Sequence, residues 1–259
     1  MEESKQSPKK IAVAGATGRV GHHVVDVLRA RGYDVVPMSR SQGVDVITGD
    51  GLAAALAGVE CIIDAATGPS PEQEPATTFF TTAARNLQEA GQQAGVQRMV
   101  LVSIIGTDRF THGYGAAKLA HEQAMLAGPI PAHVLRAAQF YEFVPLIMEW
   151  GTQGDVAYVP RMRAQPVAAR AVAEVLADLA TAPGSRPSGP PFPEVAGPRE
   201  ESMVEMAALF AERRGYPAKV EAVTDPADQD GLNESGGLLP GPDAILAGPT
   251  FEEWLNATY

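Results

Sequence analysis

Gly15-Ala16-Thr17-Gly18-Arg19-Val20-Gly21 constrains this chain more than any other stretch. Before it, Ile11-Ala12-Val13-Ala14 is a short apolar run behind Lys9-Lys10, the pattern of a buried strand. After it, Val20, Val24, Val27 and Leu28 recur at helical spacing until Arg31-Gly32 supplies a stop. Strand, glycine-rich turn and helix in this order form a cradle for a dinucleotide pyrophosphate. Gly15, Gly18 and Gly21 permit the tight turn and a close approach of backbone to phosphate, and the first-turn N–H groups of the helix point at the anion. A plain strand-to-helix turn is the bland alternative. The three-residue glycine spacing in this context predicts cofactor binding instead.

The rest of the chain alternates in the same way. Strands are predicted at 34–38, 44–47, 59–65, 98–102 and 132–136, with helices at 52–56, 76–94 and 114–126. That alternation predicts an α/β fold, a Rossmann-type doubly wound parallel sheet. Residues 1–9 read as a flexible tail, 10–150 as the nucleotide-binding domain, and 151–259 as a part that completes the sheet and forms a small C-terminal substrate lobe. In that last part, strands are predicted at 156–159, 194–196 and 219–223, and helices at 167–180 and 201–214. The segment 183–193 reads as a Pro/Gly/Ser linker, and 225–242, acidic and glycine-rich, as a long loop or lid. Thr250-Phe251-Glu252-Glu253 has capping-box spacing and opens a last helix. Ligands of such sheets bind beyond the carboxyl ends of the strands, so Ser39, Ala65, Ser103 and Gln139 are expected around one crevice.

Charge and composition narrow the partners. A net charge of −11 argues against nucleic acid or an anionic membrane as partner. No apolar stretch reaches the ~18 residues of a membrane span, and the polar N-terminus has no signal-like apolar region, so a cytoplasmic protein is expected. Cys61 is the single cysteine and excludes a disulfide framework or a cysteine metal site. No His/Asp/Glu spacing suggests a metal site either. The expected partner is a small-molecule substrate, with the chain a monomer or homodimer.

Two clusters carry chemistry. At the end of the second strand, a carboxylate would bind a free ribose 2′-hydroxyl, whereas arginine suits a 2′-phosphate. The chain offers Ser39-Arg40 there, and Arg19 as a second candidate, which favours NADP(H) over NAD(H). Tyr114 and Lys118 stand four apart in Tyr114-Gly115-Ala116-Ala117-Lys118, on one helical face. A lysine cation beside the phenol would favour phenolate and bring its pKa toward the working range, and Ser103 could hydrogen-bond the same substrate oxygen. His22-His23 read as partly exposed residues of the phosphate helix, and His112 as a neighbour of Tyr114 that could touch substrate. Tyr141, Phe143, Met148 and Trp150 are candidates for an apolar pocket or for core.

With the glycine motif, Ser103, Tyr114 and Lys118, and Leu135-Arg136-Ala137-Ala138-Gln139-Phe140, the chain resembles an atypical short-chain dehydrogenase/reductase of the NmrA-like, NAD(P)H-binding group. The resemblance implies that Ser103 positions the substrate oxygen and that Tyr114 exchanges its proton. It also implies that Lys118 lowers the Tyr114 pKa and binds the nicotinamide ribose. Asp50-Gly51 would contact adenine, Ala65-Ala66-Thr67 would border ribose and phosphates, and Gln139-Phe140 would neighbour the nicotinamide. The implied reaction is hydride transfer to or from a carbonyl or related unsaturated small molecule. The alternatives are a catalytically silent NAD(P)-sensing protein and a sugar-nucleotide epimerase or dehydratase, the latter calling for Arg161, Arg163 and Arg170 around a diphosphate. One departure is Ala171 after Arg170, where many relatives carry aspartate.

Overall fold

The computed structural model describes residues 9–182, 189–225 and 228–259. The tail at 1–8 and the linker residues 183–188 lie outside them. The chain runs β1 (Lys10–Ala14), α1 (Gly21–Ala30), β2 (Asp34–Met38), α2 (Leu52–Ala55), β3 (Cys61–Asp64), α3 (Gln73–Ala94), β4 (Arg98–Ile104), α4 (Gly113–Leu126) and β5 (Ala132–Ala137). It continues α5 (Val144–Gly151), β6 (Thr152–Gln153), β7 (Val156–Pro160), β8 (Arg163–Ala164), α6 (Ala169–Thr181) and β9 (Glu194–Ala196). The last elements are β10 (Glu201–Ser202), α7 (Met203–Arg214), β11 (Lys219–Val223), α8 (Leu232–Ser235), β12 (Ile245–Leu246) and α9 (Phe251–Thr258).

Seven strands form one sheet in the order β12-β9-β5-β4-β3-β1-β2, every neighbouring pair parallel. Being buried on both faces, these strands read as apolar runs rather than alternating ones. Val24, Leu28, Val172 and Leu176 of α1 and α6 pack one face, and Leu52, Leu87 and Met125 of α2, α3 and α4 pack the other. The strand order reverses at β1, which lies between β2 and β3. A switch point of this kind opens a crevice at the strands' carboxyl ends.

Residues 44–47 are not a strand, contrary to their apolar pattern. The Asp45 carboxylate accepts the N–H groups of Ile47 and Thr48, closing a local turn. The Asn86 amide of α3 donates to the carbonyls of Val46 and Ile47. With those groups satisfied, β2 is left as the sheet edge, where Pro37 offers no N–H to a neighbour.

The strand predicted at 156–159 exists as β7, but outside the main sheet. It pairs parallel with β11 and antiparallel with β6. α7 begins at Met203, after β10 has paired with β8. Tyr141, Met148, Val159, Met206, Phe210 and Phe251 form the core of this region. The 225–242 segment is moored to the β4–α4 connection within its described residues. Leu238 is buried against Gly106, Arg109 donates to the Gly237 carbonyl at 2.8 Å, and Thr111 N–H donates to Asp230 at 3.0 Å. Among the described residues, no helix is long and apolar enough to cross a membrane.

The capping box at Thr250 is present. Its Oγ1 accepts from Glu253 N–H, and the Glu253 carboxylate accepts from Thr250 N–H at 2.9 Å. The cap sets α9 so that Phe251 and Trp254 meet the Tyr141 ring. Thr250→Ala should cost about 0.5–2 kcal/mol, read as a lower thermal midpoint with cofactor affinity unchanged.

Candidate functional site

The glycine turn is built by backbone contact. Gly15 sits at φ +73°, and a Cβ there would fall 2.6 Å from the Ala65 carbonyl oxygen and 2.7 Å from Ala66 Cα. A Cβ at Gly21 would overlap the Gly15 carbonyl oxygen. Gly18 differs, because its nearest neighbour would be that same oxygen at 3.2 Å. Gly15 and Ala16 N–H both donate to the Met38 carbonyl, which brings the end of β2 to the turn. α1 has no side-chain cap at Val20, so its opening N–H groups and dipole are directed at this turn.

At the β2 end, Arg40 is exposed and opens a short 3-10 turn; Ser39 Oγ lies 2.9 Å from Ser41 Oγ. A Cβ at Gly51 would overlap the Gly43 carbonyl oxygen, so Asp50-Gly51 packs against the loop that bears Arg40. The Asp50 carboxylate accepts from Thr48 at 2.8 Å. Arg19 is engaged elsewhere. Its guanidinium lies 5.2 Å from the Phe143 ring, which stacks on Phe140.

Tyr114 is fixed by Thr67, whose Oγ1 lies 3.1 Å from the phenol oxygen, and by the edge of Phe80. The expected lowering of its pKa by Lys118 is not found. Burial raises it, with the Thr67 hydrogen bond and the Arg19 charge opposing only in part. Lys118 is instead turned into the core, donating to the Val102 carbonyl at 2.9 Å with His121 Nδ1 at 3.2 Å. Burial pushes its ammonium down to about 8, against the supporting charges of Asp64 and Glu122. Ser103 is buried, and its hydroxyl lies 3.4 Å from Thr107 Oγ1 in the same connection.

Asp64 and His121 belong to the site and were not anticipated. Their signals were a carboxylate closing the apolar run Cys61-Ile62-Ile63 and a histidine three residues after Lys118. Asp64 Oδ2 lies 3.0 Å from His121 Nε2. Burial opposes the carboxylate's charge, yet His121, the Ala66 N–H and Lys118 together hold its pKa below the usual range. Burial, then the Lys118 charge, holds the His121 pKa down. Glu142 was also missed; both its carboxylate oxygens accept the Ala169 N–H at the start of α6.

Of the pocket candidates, Tyr141 and Met148 are core, the Tyr141 hydroxyl donating to the Pro249 carbonyl at 3.0 Å. Trp150 is 72% exposed, so it lines no pocket and fills no core. His112 is exposed and is bonded to Thr111 beside Asp230. Among the described residues, no group of three or more His, Cys, Asp or Glu side chains could hold a metal ion.

The cradle fits a dinucleotide cofactor on two observations. The closely packed Gly15, Gly18 and Gly21 shape a tight turn in front of an uncapped helix, with Gly18 the least crowded of the three. At the β5 end, the Gln139 side-chain Oε1 is buried with no hydrogen-bond partner among the described residues. An unpaired buried acceptor is costly, and an amide N–H such as that of a nicotinamide would satisfy it.

A family profile described as NAD(P)H-binding matches residues 15–183. The chain belongs to this NAD(P)H-binding family. The human sterol-4-alpha-carboxylate 3-dehydrogenase, decarboxylating, is 25% identical over 196 residues, 60% of this chain; the chain matches about half, 52%, of that relative's length. Among solved structures, the Citrobacter sp. triphenylmethane reductase complexed with NADP(H) superposes with a TM-score of 0.68 at 18% identity, covering 96% of this chain and 100% of that one. The NADPH-dependent quinone oxidoreductase of Escherichia coli complexed with NADPH gives 0.66 at 18% identity, over 95% and 99% of the two chains. MoeE5 in complex with UDP-glucose and NAD gives 0.71 at 20% identity, over 95% and 96%. These likenesses show the Rossmann-type fold.

Gly18 and Gly21 therefore predict different failures. Gly18→Val, meeting only the Gly15 carbonyl oxygen at 3.2 Å, should abolish binding of the nicotinamide cofactor while lowering the thermal midpoint less than Gly21→Val does. Gly21→Val, driven into the Gly15 carbonyl, should lower stability by roughly 1–3 kcal/mol or more. Cofactor fluorescence titration beside a thermal melt separates the two, and undiminished affinity in Gly18→Val would place the cofactor elsewhere.

Proposed function

We propose that the chain is an NADP(H)-dependent oxidoreductase that reduces a carbonyl or related unsaturated small molecule. The observation that carries the reading is Tyr114: a neutral phenol held on Thr67, beyond the end of β3, whose pKa burial raises. The bound cofactor would supply the hydride. Tyr114 would give its proton to the developing substrate oxygen, and a neutral phenol is the form that reduction requires. Thr67 orients that hydroxyl. Phe140 and Phe143 form a half-buried stacked pair, with the exposed Arg19 guanidinium over the latter.

In this reading Gly15, Thr17, Gly18, Val20 and Gly21 cradle the pyrophosphate, Asp50-Gly51 border the adenine, and Ala65, Ala66 and Thr67 line the ribose side. Gln139 Oε1 accepts from the nicotinamide amide. Arg40 holds the 2′-phosphate, and its exposure leaves the planar fork accessible to phosphate oxygens. Of the arginines called on for a sugar-nucleotide diphosphate, Arg163 is forked onto Glu200 and Arg170 pairs with Glu174, exposed pairs that a diphosphate would have to displace. A cofactor-binding protein without turnover is the second reading. It is favoured by the burial of Ser103 and by Lys118 turning to Val102 rather than to Tyr114.

NADPH should bind more tightly than NADH, and Arg40→Ala should weaken NADPH by ~1.5–3 kcal/mol, the scale of hydrogen bonds to a charged group, while sparing NADH. Equal affinities in the parent protein would sink this assignment. Tyr114→Phe keeps the ring against Phe80 and removes only the exchangeable proton. On a carbonyl or quinone that the parent reduces, turnover should fall by ~10²–10⁴-fold with cofactor affinity retained. A panel on which the parent oxidises no NADPH favours the non-catalytic reading.

A further inference from the structure

Beneath the crevice, side chains from two elements form a continuous buried chain. Asp64 closes β3, while Lys118 and His121 stand one turn apart on α4. Asp64 Oδ2 lies 3.0 Å from His121 Nε2, and His121 Nδ1 lies 3.2 Å from Lys118 Nζ. The other carboxylate oxygen accepts the Ala66 N–H at 3.0 Å, and Nζ donates to the Val102 carbonyl at 2.9 Å. All three residues are at most 5% exposed. Phe80 of α3 closes the cluster, stacked on the imidazole at 4.6 Å and lying 4.6 Å from the ammonium.

Donor counting fixes the protons. An ammonium only donates and a carboxylate only accepts. Lys118 therefore donates to His121 Nδ1, which must be the unprotonated nitrogen, and the proton on Nε2 is donated to Asp64. A neutral imidazole thus links carboxylate to ammonium. Because the ring is stacked on Phe80, it cannot turn without losing both hydrogen bonds. The charged groups facing Lys118 are Asp64 from β3 and Glu122 from α4, the latter forked onto Arg136 of β5; α3 presents the uncharged Phe80 ring. Two of the three ammonium protons are committed, to Val102 and to His121.

We propose that Asp64 and His121 are positioning residues for Lys118: through the Nε2–H tautomer they hold its ammonium against β4, leaving its third N–H for a ribose hydroxyl of the cofactor. This rests on the NADP(H)-binding reading above and on the ribose contact that the family resemblance implies for Lys118. A direct carboxylate–lysine pair would draw the ammonium toward β3. The interposed imidazole instead supports the charge from a distance and leaves the Val102 carbonyl to define its place.

Asp64→Asn tests the arrangement with little change of shape. The new amide oxygen keeps the Ala66 N–H, so its NH2 faces His121 Nε2 and demands an acceptor there. The imidazole should switch to the Nδ1–H tautomer, which opposes a protonated Lys118. Long-range 1H–15N NMR of labelled protein reads the tautomer, with Nε2–H expected in the parent at neutral pH and Nδ1–H in the variant. NADPH titrations from about pH 7 to about 9 read the lysine. Parent affinity should fall as pH rises through about 8, where Lys118 loses its proton. In Asp64→Asn that inflection should move down by about one pH unit or more.

A parent tautomer of Nδ1–H, or an imidazolium at neutral pH, overturns the proposal and needs no variant to fold. Lys118→Met that binds NADPH like the parent overturns the assignment of Lys118 to cofactor, and the proposal with it. A weakened Lys118→Met beside an unmoved inflection in folded Asp64→Asn overturns the positioning alone.

Discussion

The structure turns on the approach of the Gly15 backbone to Ala65 and Ala66. Two adjacent parallel strands, β1 and β3, end level with each other, and the chain leaves them in different directions. Any side chain at Gly15 would wedge those exits apart, and any at Gly21 would lift α1 off the turn. Because interiors are close-packed and do not yield by a few tenths of an ångström at no cost, this contact fixes three things together. It sets the entry angle of α1, the position of Thr67 two residues past Ala65, and hence the seat of the Tyr114 hydroxyl. The cradle and the candidate proton donor are thus parts of one packing arrangement.

A second constraint comes from charge inside the sheet–helix sandwich. Asp64, Lys118, His121 and Glu122 are buried where an isolated charge would be prohibitively costly. The structure resolves this by linking rather than by exposure. Asp64 reaches Lys118 through His121, and Glu122 is forked by Arg136, which also reaches Asp108. Such networks are poor sources of net stability, but a half-satisfied one is worse than an apolar core. Their geometry is consequently specified tightly, on the same helix face that begins with Tyr114.

Much of this was legible in the sequence, because hydrophobic period and glycine spacing act locally. β1, the turn and α1 follow from residues 11–32, and the Thr250 capping box follows from four residues. The failures have physical causes. Residues 44–47 carry a strand's pattern, but Asp45 and Asn86 consume the hydrogen bonds that a strand would need. Trp150 looks like pocket or core and is exposed, since an apolar residue type does not dictate which helix face meets the lobe. The direction of Lys118 was illegible for a different reason. Spacing of four places it on the Tyr114 face, yet a long flexible side chain goes where its donors are met, and Val102 and His121 lie in the core.

Burial then acts on both members of the Tyr114–Lys118 pair in one sense, favouring the neutral form of each. It raises the phenol and lowers the ammonium to about 8. The expected arrangement would have used the ammonium to stabilise phenolate; here the ammonium is balanced by Asp64 through His121, and the phenol meets the uncharged Thr67. A phenol is protonated near neutral pH in any case, and here burial moves its pKa further up. That is the state from which a proton is given up to an oxygen gaining charge, and it is poorly suited to taking one from an alcohol. The same low-dielectric surroundings that make the phenol a reluctant acid would strengthen its hydrogen bond to a developing oxyanion. Burial, rather than the sequence spacing of tyrosine and lysine, therefore governs the protonation of both groups.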